Sequence, residues 1–428
     1  MTKLKLHWQI LIALLLAVIA GSLTGTDATL MGIRFYAMFD FIGTLFLNAL
    51  KMLIVPLVMS SIIVGIAGIG SGGAFGKLGL KTMLYYLTTS LFAILVGLTV
   101  VNIVSPGIVD GAPAQHLVGL SENVSDVVAK VEGKGTGDLV EVFLRMIPTN
   151  VVAAAADGQM LGLIFFSLLF GFFMTKIEGS YAESLYNFWQ GTFQVMMKIT
   201  DWVMLFAPIG VFGLVAKVVA STGYAAFVPL AWFFISVLAA LAVHFLIVLP
   251  MLLFFVGRVN PLRHYRAMAP ALLTAFSTSS SAATLPLTME CVEKNAGVSN
   301  RTSSFVLPLG ATVNMDGTAL YECVAAMFIA QVYGIELGFV QQFTIVLMAL
   351  VTSIGVAAIP SASLVAIAII LSAVGLPVEA IGLILAVDRV LDMCRTSVNI
   401  FSDSCGAVII ARVTGEDNVL GEPPLLKS

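Results

Sequence analysis

Charge is what this chain has least of. Of its 428 residues, 11% are Asp, Glu, Lys or Arg, while 59% are hydrophobic. A soluble domain usually carries about 25% charged residues, so the composition excludes a water-soluble globule of this length. Cysteine is scarce at four residues, and Cys291, Cys323, Cys394 and Cys405 show no metal-ligand spacing. They read as small buried hydrophobes. No phosphate-binding G-x-x-x-x-G-K-[ST] loop appears, so nucleotide-driven pumping finds no support. A net charge of −3 offers nothing to a nucleic acid.

What remains is apolar length. The mean hydropathy is +1.03, and a bilayer takes about 20 helical residues to cross. Candidate spans lie at 8–24, 40–69, 82–106, 158–175, 192–220, 226–256, 303–333 and 381–411. This predicts an all-α polytopic membrane protein. The first run is too long and too weakly cleavable for a signal peptide. Lys3 and Lys5 precede the first span, Lys77 and Lys81 follow the second, Lys176 the fourth, and Arg258, Arg263 and Arg266 the sixth. Stretch 107–138, by contrast, carries Asp110, Glu122, Asp126, Glu132 and Asp138 against two lysines, so the positive-inside rule puts the N-terminus in the cytoplasm. Length and short tails point to a bacterial inner membrane.

After Pro261 the pattern changes. Ala267–Phe276 is too short to span and ends in "STSSSAATLP"; a later apolar run ends in "VTSIGVAAIPSAS". Thr278–Pro286 and Thr352–Pro360 share a frame, with Thr-Ser at the start, Ala five positions after the Thr and Pro eight after it. Backbone broken by Ser, Gly and Pro is tolerated at membrane depth only where it lines a cavity or is buried in protein. A pair of such segments in corresponding positions points to a transporter's midplane site. One starts from the inside and the other, a span later, from the outside, which makes them inverted repeats. Two kinked spans with Ser-lined packing faces is the alternative.

Polar residues then interrupt two helices. Asp388, Asp392, Arg395, Asn399 and Asp403 are spaced 4, 3, 4 and 4 apart, a stripe under a quarter of a helix circumference wide. Facing lipid, each charge would cost roughly 2.5–3.5 kcal/mol, so the stripe must face protein, water or ligand. An ion pair of Asp388 with Arg389, or of Asp392 with Arg395, is a structural explanation, but Asn399 and Asp403 continue the line. Surplus oxygen ligands at depth suit a hard cation such as sodium. In "GATVNMDGTALYE" (Gly310–Glu322), Asn314, Asp316, Thr318 and Glu322 break an apolar run. Gly317 favours unwinding there, which would free carbonyls for a cation and aim a helix N-terminus at an anion. Glu322, a lone carboxylic acid in an apolar helix, can carry a proton at neutral pH; a hydrogen-bonded structural Glu is the alternative.

"NMDGTALYE", "TSSSAATLP" and "VDRVLDMCRTSVN…D", with "LKMLIVPLVMSS", "YYLTTS" and "APIGVFGLVA", resemble the glutamate transporter family, the dicarboxylate/amino-acid:cation symporters. The resemblance covers nearly the whole chain. It implies eight spans, two re-entrant hairpins (near 263–291 and 338–372), a homotrimer and an elevator-type transporter. The implied scaffold is 1–75 and 138–222, the transport domain 76–106 and 223–416, with an extracellular linker at 107–137 and a cytoplasmic tail at 417–428. It implies that Arg395 pairs with the substrate's side-chain carboxylate, Asp392 with its amino group and Asn399 with its α-carboxylate. Thr278, Ser280, Met315, Thr318, Ile359 and Thr396 are further implied substrate contacts. One implied sodium site is Gly310, Asn314, Asn399 and Asp403. A second uses carbonyls of Thr312, Met315, Ser353 and Ile354, and a third Tyr86, Thr89, Ser90, Asn314 and Asp316. Departures stand beside the match. Ala358, Ser361 and Ser363 replace glycines frequent at the second tip. An Arg that relatives carry at the position of Thr278 or of Met393 is missing, while Arg389 stands one turn from Met393.

These readings converge on a sodium-coupled symporter of acidic amino acids, with sodium as the co-transported ion. A C4-dicarboxylate symporter is the rival; those relatives lack an acid at the position of Asp392. An anion channel is less consistent with paired charges. A serine hydrolase would need a base for Ser279–Ser281, and His244 is the one histidine inside a span, so the chain reads as no enzyme.

Overall fold

The computed structural model describes residues 6–70, 76–117, 144, 147–156, 160–355 and 362–421. Among them the fold is helical; the strands are two-residue ribbons, Thr29–Leu30 with Ile33–Arg34 and Ile108–Val109 with Ala112–Pro113. The helices are α1 (Leu6–Thr24), α2 (Phe35–Gly70), α3 (Gly76–Val104), α4 (Val151–Ala156), α5 (Met160–Met174), α6 (Gly179–Met204), α7 (Ala207–Thr222), α8 (Phe227–Gly257), α9 (Pro261–Thr278), α10 (Ser281–Glu290), α11 (Asn300–Val313), α12 (Asp316–Val332), α13 (Phe339–Gly355), α14 (Ala362–Val374) and α15 (Ile381–Val413). Among the described residues, four helices are long and apolar enough to cross a membrane: Phe35–Ala67, Leu78–Val104, Ala207–Ala225 and Phe227–Gly257.

Two of the expected spans are not single helices. The run 192–220 divides at Leu205–Phe206 into α6 and α7. Pro208, in the first turn of α7, has no N–H to continue the ladder from α6 and suits a helix start. The run 303–333 divides at Asn314–Met315, both in non-helical conformations. Gly317, the expected break point, lies instead inside the first turn of α12.

The Ser-rich segments fold as helical hairpins. Asn260 caps α9, its side chain accepting from Leu262 N–H at 2.9 Å, and Pro261 occupies the first helical position. Ser279 ends α9 in a left-handed conformation, φ 51°. Ser280 then caps α10, accepting from Ala283 N–H at 3.2 Å, so two residues turn the chain. The helices α13 and α14 form the second hairpin; its tip, including Ala358, Ile359 and Ser361, lies outside the described residues.

Packing sorts the helices into two groups. The helices α1, α2, α5, α6 and α7 lie mainly on one another, whereas α3 and α8 to α15 gather around α12 and α15. Almost every residue of α12 is buried. The protein therefore encloses the charged residues of α12 and α15, among them Asp316, Glu322, Asp388, Arg395 and Asp403, and gives apolar side chains such as Phe41, Leu80, Ile103, Phe188, Phe254 and Phe255 to its exterior. A bilayer is the solvent in which that inversion is stable.

Candidate functional site

The site forms where α15 passes the break between α11 and α12. At a helix C-terminus the last carbonyls lack intrahelical partners and carry partial negative charge; at an N-terminus the first N–H groups are free and positive. The break places a C-terminus (Gly310–Val313) and an N-terminus (Asp316 onward) side by side in a buried position.

Close approach there depends on two glycines. A Cβ on Gly310 would stand 2.5 Å from Asp403 Oδ1 and 2.7 Å from the Tyr86 hydroxyl, and one on Gly317 would stand 2.7 Å from the Arg395 carbonyl oxygen. At Gly317 the obstacle is the α15 backbone itself; at Gly310 it is the side chains of Asp403 and Tyr86, which would have to move.

On α15 the charges form a chain. Arg395 Nη2 donates to Asp388 Oδ1 and to Asp392 Oδ1, each at 3.0 Å, and Arg389 Nη1 donates to Asp392 Oδ2 at 3.2 Å. The pairing is therefore Arg389–Asp392–Arg395–Asp388. The expected alternative of Asp388 with Arg389 is not what forms, because adjacent residues point about 100° apart on a helix while residues two turns apart align. Arg395 is 1% exposed. Its guanidinium carbon lies 3.8 Å from the Tyr321 ring centroid, a cation–π contact. Its Nε and Nη1 have no acceptor.

One turn on, Asn399 joins α15 to the start of α12. Its Oδ1 accepts from Gly317 N–H at 2.8 Å and its Nδ2 donates to Thr318 Oγ1 at 3.2 Å. The Thr396 hydroxyl bonds its own helix at the Asp392 carbonyl, 2.8 Å away.

Below this lies a second polar cluster, built from three helices and the break. Asn314 Nδ2 donates to Asp403 Oδ1 at 2.9 Å and to Ser402 Oγ at 3.0 Å, and Asn314 Oδ1 accepts from Thr89 at 3.3 Å. Asp316 accepts from Ser90 at 2.8 Å, from Ser402 at 2.6 Å, and lies 3.0 Å from His244 Nε2. Tyr86 donates instead to the Val306 carbonyl at 2.6 Å, beside Gly310. Among the described residues no Lys or Arg pairs with Asp316 or Asp403, and no cluster of three or more His, Cys, Asp or Glu has the arrangement of a metal centre.

The remaining predicted residues fall as follows. Met315 is buried in the break. Thr312, Ser353 and Ile354 belong to the last turns of α11 and α13, where carbonyls lack helical partners. The hydroxyls of Thr312 and Ser353 bond their own helices, at Leu309 and Leu350. Thr278 and Thr284 share a hydrogen bond of 3.1 Å across the first hairpin. Glu322, fully buried on α12, accepts from Thr352 Oγ1 of the second hairpin at 2.8 Å, and its Oε1 has no partner.

Four participants were not selected from the sequence. Ser402 and Thr352 donate to carboxylates, Tyr321 stacks on Arg395, and His244 faces Asp316. His244 heads a π turn, His244–Val248, which swells the helix at that point; π-bulges concentrate at functional sites. Its position inside an apolar span was the only signal available.

Residues 6–413 match the model of the sodium:dicarboxylate symporter family. Excitatory amino acid transporter 3 of Mus musculus is 37% identical over 97% of this chain and 87% of its own length. The proton/sodium-glutamate symport protein of Geobacillus stearothermophilus is 35% identical, over 98% of this chain and 96% of its own. The proton/glutamate-aspartate symporter of Escherichia coli K12 is 36% identical over 96% and 93%.

Proposed function

Because the chain belongs to the sodium:dicarboxylate symporter family, we propose that it is a sodium-coupled secondary symporter importing L-aspartate or L-glutamate across a bacterial inner membrane. The observation that carries this reading is the alternation of charge on α15 opposite a broken helix. A dicarboxylic amino acid presents carboxylate, ammonium and carboxylate, and the site answers with Arg395, Asp392 and the α12 N-terminus at Asn399. Arg395 takes the side-chain carboxylate through N–H groups that have no acceptor within the protein. Asp392 turns from Arg395 to the ammonium. Asn399 and the first N–H groups of α12 receive the α-carboxylate. Thr318, Thr396, Met315, Thr278 and Ser280 are further substrate contacts in this reading.

Sodium supplies the charge that the second cluster lacks. Asp316 and Asp403, each almost fully inaccessible to solvent, have hydroxyl, amide and imidazole partners but no fixed cation; burying an unpaired carboxylate is costly. Gly310, Asn314, Asn399 and Asp403 form one cation site; Tyr86, Thr89, Ser90, Asn314 and Asp316 form another. The carbonyls of Thr312, Met315, Ser353 and Ile354 form a third, between the ends of α11 and α13. Hard oxygen ligands of this kind suit sodium. Glu322 carries a proton, its exchange gated by Thr352 on the second hairpin.

The two packing groups support a scaffold of 1–75 and 138–222 and a transport domain of 76–106 and 223–416. In this reading the chain makes eight spans and two re-entrant hairpins with inverted-repeat topology, and works as an elevator in a homotrimer. Asp392 argues against a C4-dicarboxylate substrate, which has no ammonium to pair with it. Uptake of labelled aspartate into proteoliposomes, with sodium, proton and potassium gradients imposed separately, tests the reading. Accumulation driven by inward sodium is expected; sodium-independent anion current without accumulation would indicate a channel.

A further inference from the structure

Arg389 occupies the outer end of the charge chain, and its position bears on which substrates the site accepts. Its Nη1 holds Asp392 Oδ2 at 3.2 Å, and its Nε is buried with no acceptor. The two side chains retain 19% and 16% exposure, against 1% for Arg395 and 7% for Asp388. Arg389 and Asp392 thus form the outer pair and Arg395 and Asp388 the inner one, with Asp392 Oδ1 bridging them.

Arg395 makes both of its ion pairs through a single nitrogen, Nη2. A carboxylate three residues away on the same helix face reaches a guanidinium readily, and the strongest form of that contact engages both oxygens with two N–H groups. Asp392 engages only Oδ1, because Oδ2 is bonded to Arg389.

We propose that Arg389 is a positioning residue that holds Asp392 partly off Arg395, keeping the Arg395 guanidinium open to the side-chain carboxylate of a dicarboxylic amino acid. The proposal rests on the assignment of Arg395 and Asp392 as substrate contacts. Without Arg389, two carboxylates face one guanidinium. Asp392 then closes onto Arg395 with both oxygens, and an incoming carboxylate must displace one of them. A neutral amino acid must still draw Asp392 away with its ammonium, but it has no side-chain carboxylate competing for Arg395, whereas an acidic one meets the competition at both ends. Arg389 therefore favours acidic over neutral substrates without contacting the carboxylate it helps to bind.

The test compares wild type with Arg389→Ala, Arg389→Gln and Arg389→Lys in proteoliposomes at saturating sodium, measuring KM and kcat for labelled aspartate with serine as competitor. Loss of Arg389 is expected to raise the aspartate KM about tenfold or more, with kcat within about twofold and serine inhibition weakened far less. Arg389→Lys, whose ammonium still reaches Asp392, restores most of the affinity. Equal losses for aspartate and serine, an aspartate KM unchanged in both Ala and Gln variants, or a Lys variant as impaired as Ala would each overturn the proposal. Should wild type itself accumulate no aspartate, the functional reading fails, and this proposal with it; failure of the Arg389 assignment alone shows only in the variants.

Discussion

Asp388 and Asp392 differ from Asp316 and Asp403 in what surrounds them. All four lie along the path of α15 or beside it, within a largely apolar protein. The first two are bonded to guanidinium groups, so their charge is balanced by the chain itself. The second two have Ser90, Ser402, Asn314 and His244 as partners, among which only the imidazole can carry a charge. In the proposed reading the difference separates two jobs. A compensated chain can exchange internal partners for a zwitterionic ligand at little net change of charge, which suits selection. An uncompensated cluster gains most from a cation, which suits coupling.

The largest effect should come from breaking the compensated chain at its centre. Arg395→Thr leaves Asp388 and Asp392 without the cation they share, and removing one partner of a buried pair typically costs about 3–5 kcal/mol. Aspartate and glutamate uptake should fall by roughly a hundredfold or more, while competition by serine or alanine strengthens relative to wild type. Aspartate uptake with unchanged affinity would remove Arg395 from the substrate site.

This chain of charges was partly legible in the sequence, and the limits are instructive. The stripe from Asp388 to Asp403 follows from helix periodicity alone, and the need for it to face inward from the cost of a charge in lipid. The break near residue 314 was signalled by Asn and Asp inside an apolar run, although its position was not, because Gly317 serves close packing against Arg395 and not unwinding. The split between α6 and α7 carried a signal in Pro208 that hydropathy alone overrode. The contacts of His244, Tyr321 and Thr352 were not legible. Each joins helices 30 to 74 residues apart in sequence, and no local pattern specifies which polar side chains meet across such distances.

Asp392→Asn comes next. It removes the partner proposed for the substrate ammonium and should weaken amino-acid binding by roughly tenfold or more, sparing malate or succinate relative to aspartate. Equal loss of both substrate types in the folded variant would make the Asp392–Arg395 pair purely structural.

Asp403→Asn probes the other cluster and sharpens the contrast. It should raise the sodium concentration for half-maximal uptake by about tenfold while leaving the preference for aspartate over serine as in wild type. A change in that preference with normal sodium dependence would mean that the two clusters do not divide the work.

The smallest effect on binding is expected at Glu322. Glu322→Gln keeps an acceptor for Thr352 and leaves no acid proton to exchange. Substrate should still bind with near-normal affinity, and uptake should lose its dependence on pH. Wild-type pH dependence in the variant would exclude Glu322 as the proton carrier.

The division of labour is tested most directly by equilibrium binding of radioactive sodium to the purified protein, wild type beside Asp403→Asn and Arg395→Thr, without substrate. If the uncompensated cluster is the coupling site, wild type and Arg395→Thr bind sodium alike and Asp403→Asn binds it about tenfold more weakly. Sodium binding that is lost in Arg395→Thr and intact in Asp403→Asn would contradict the account.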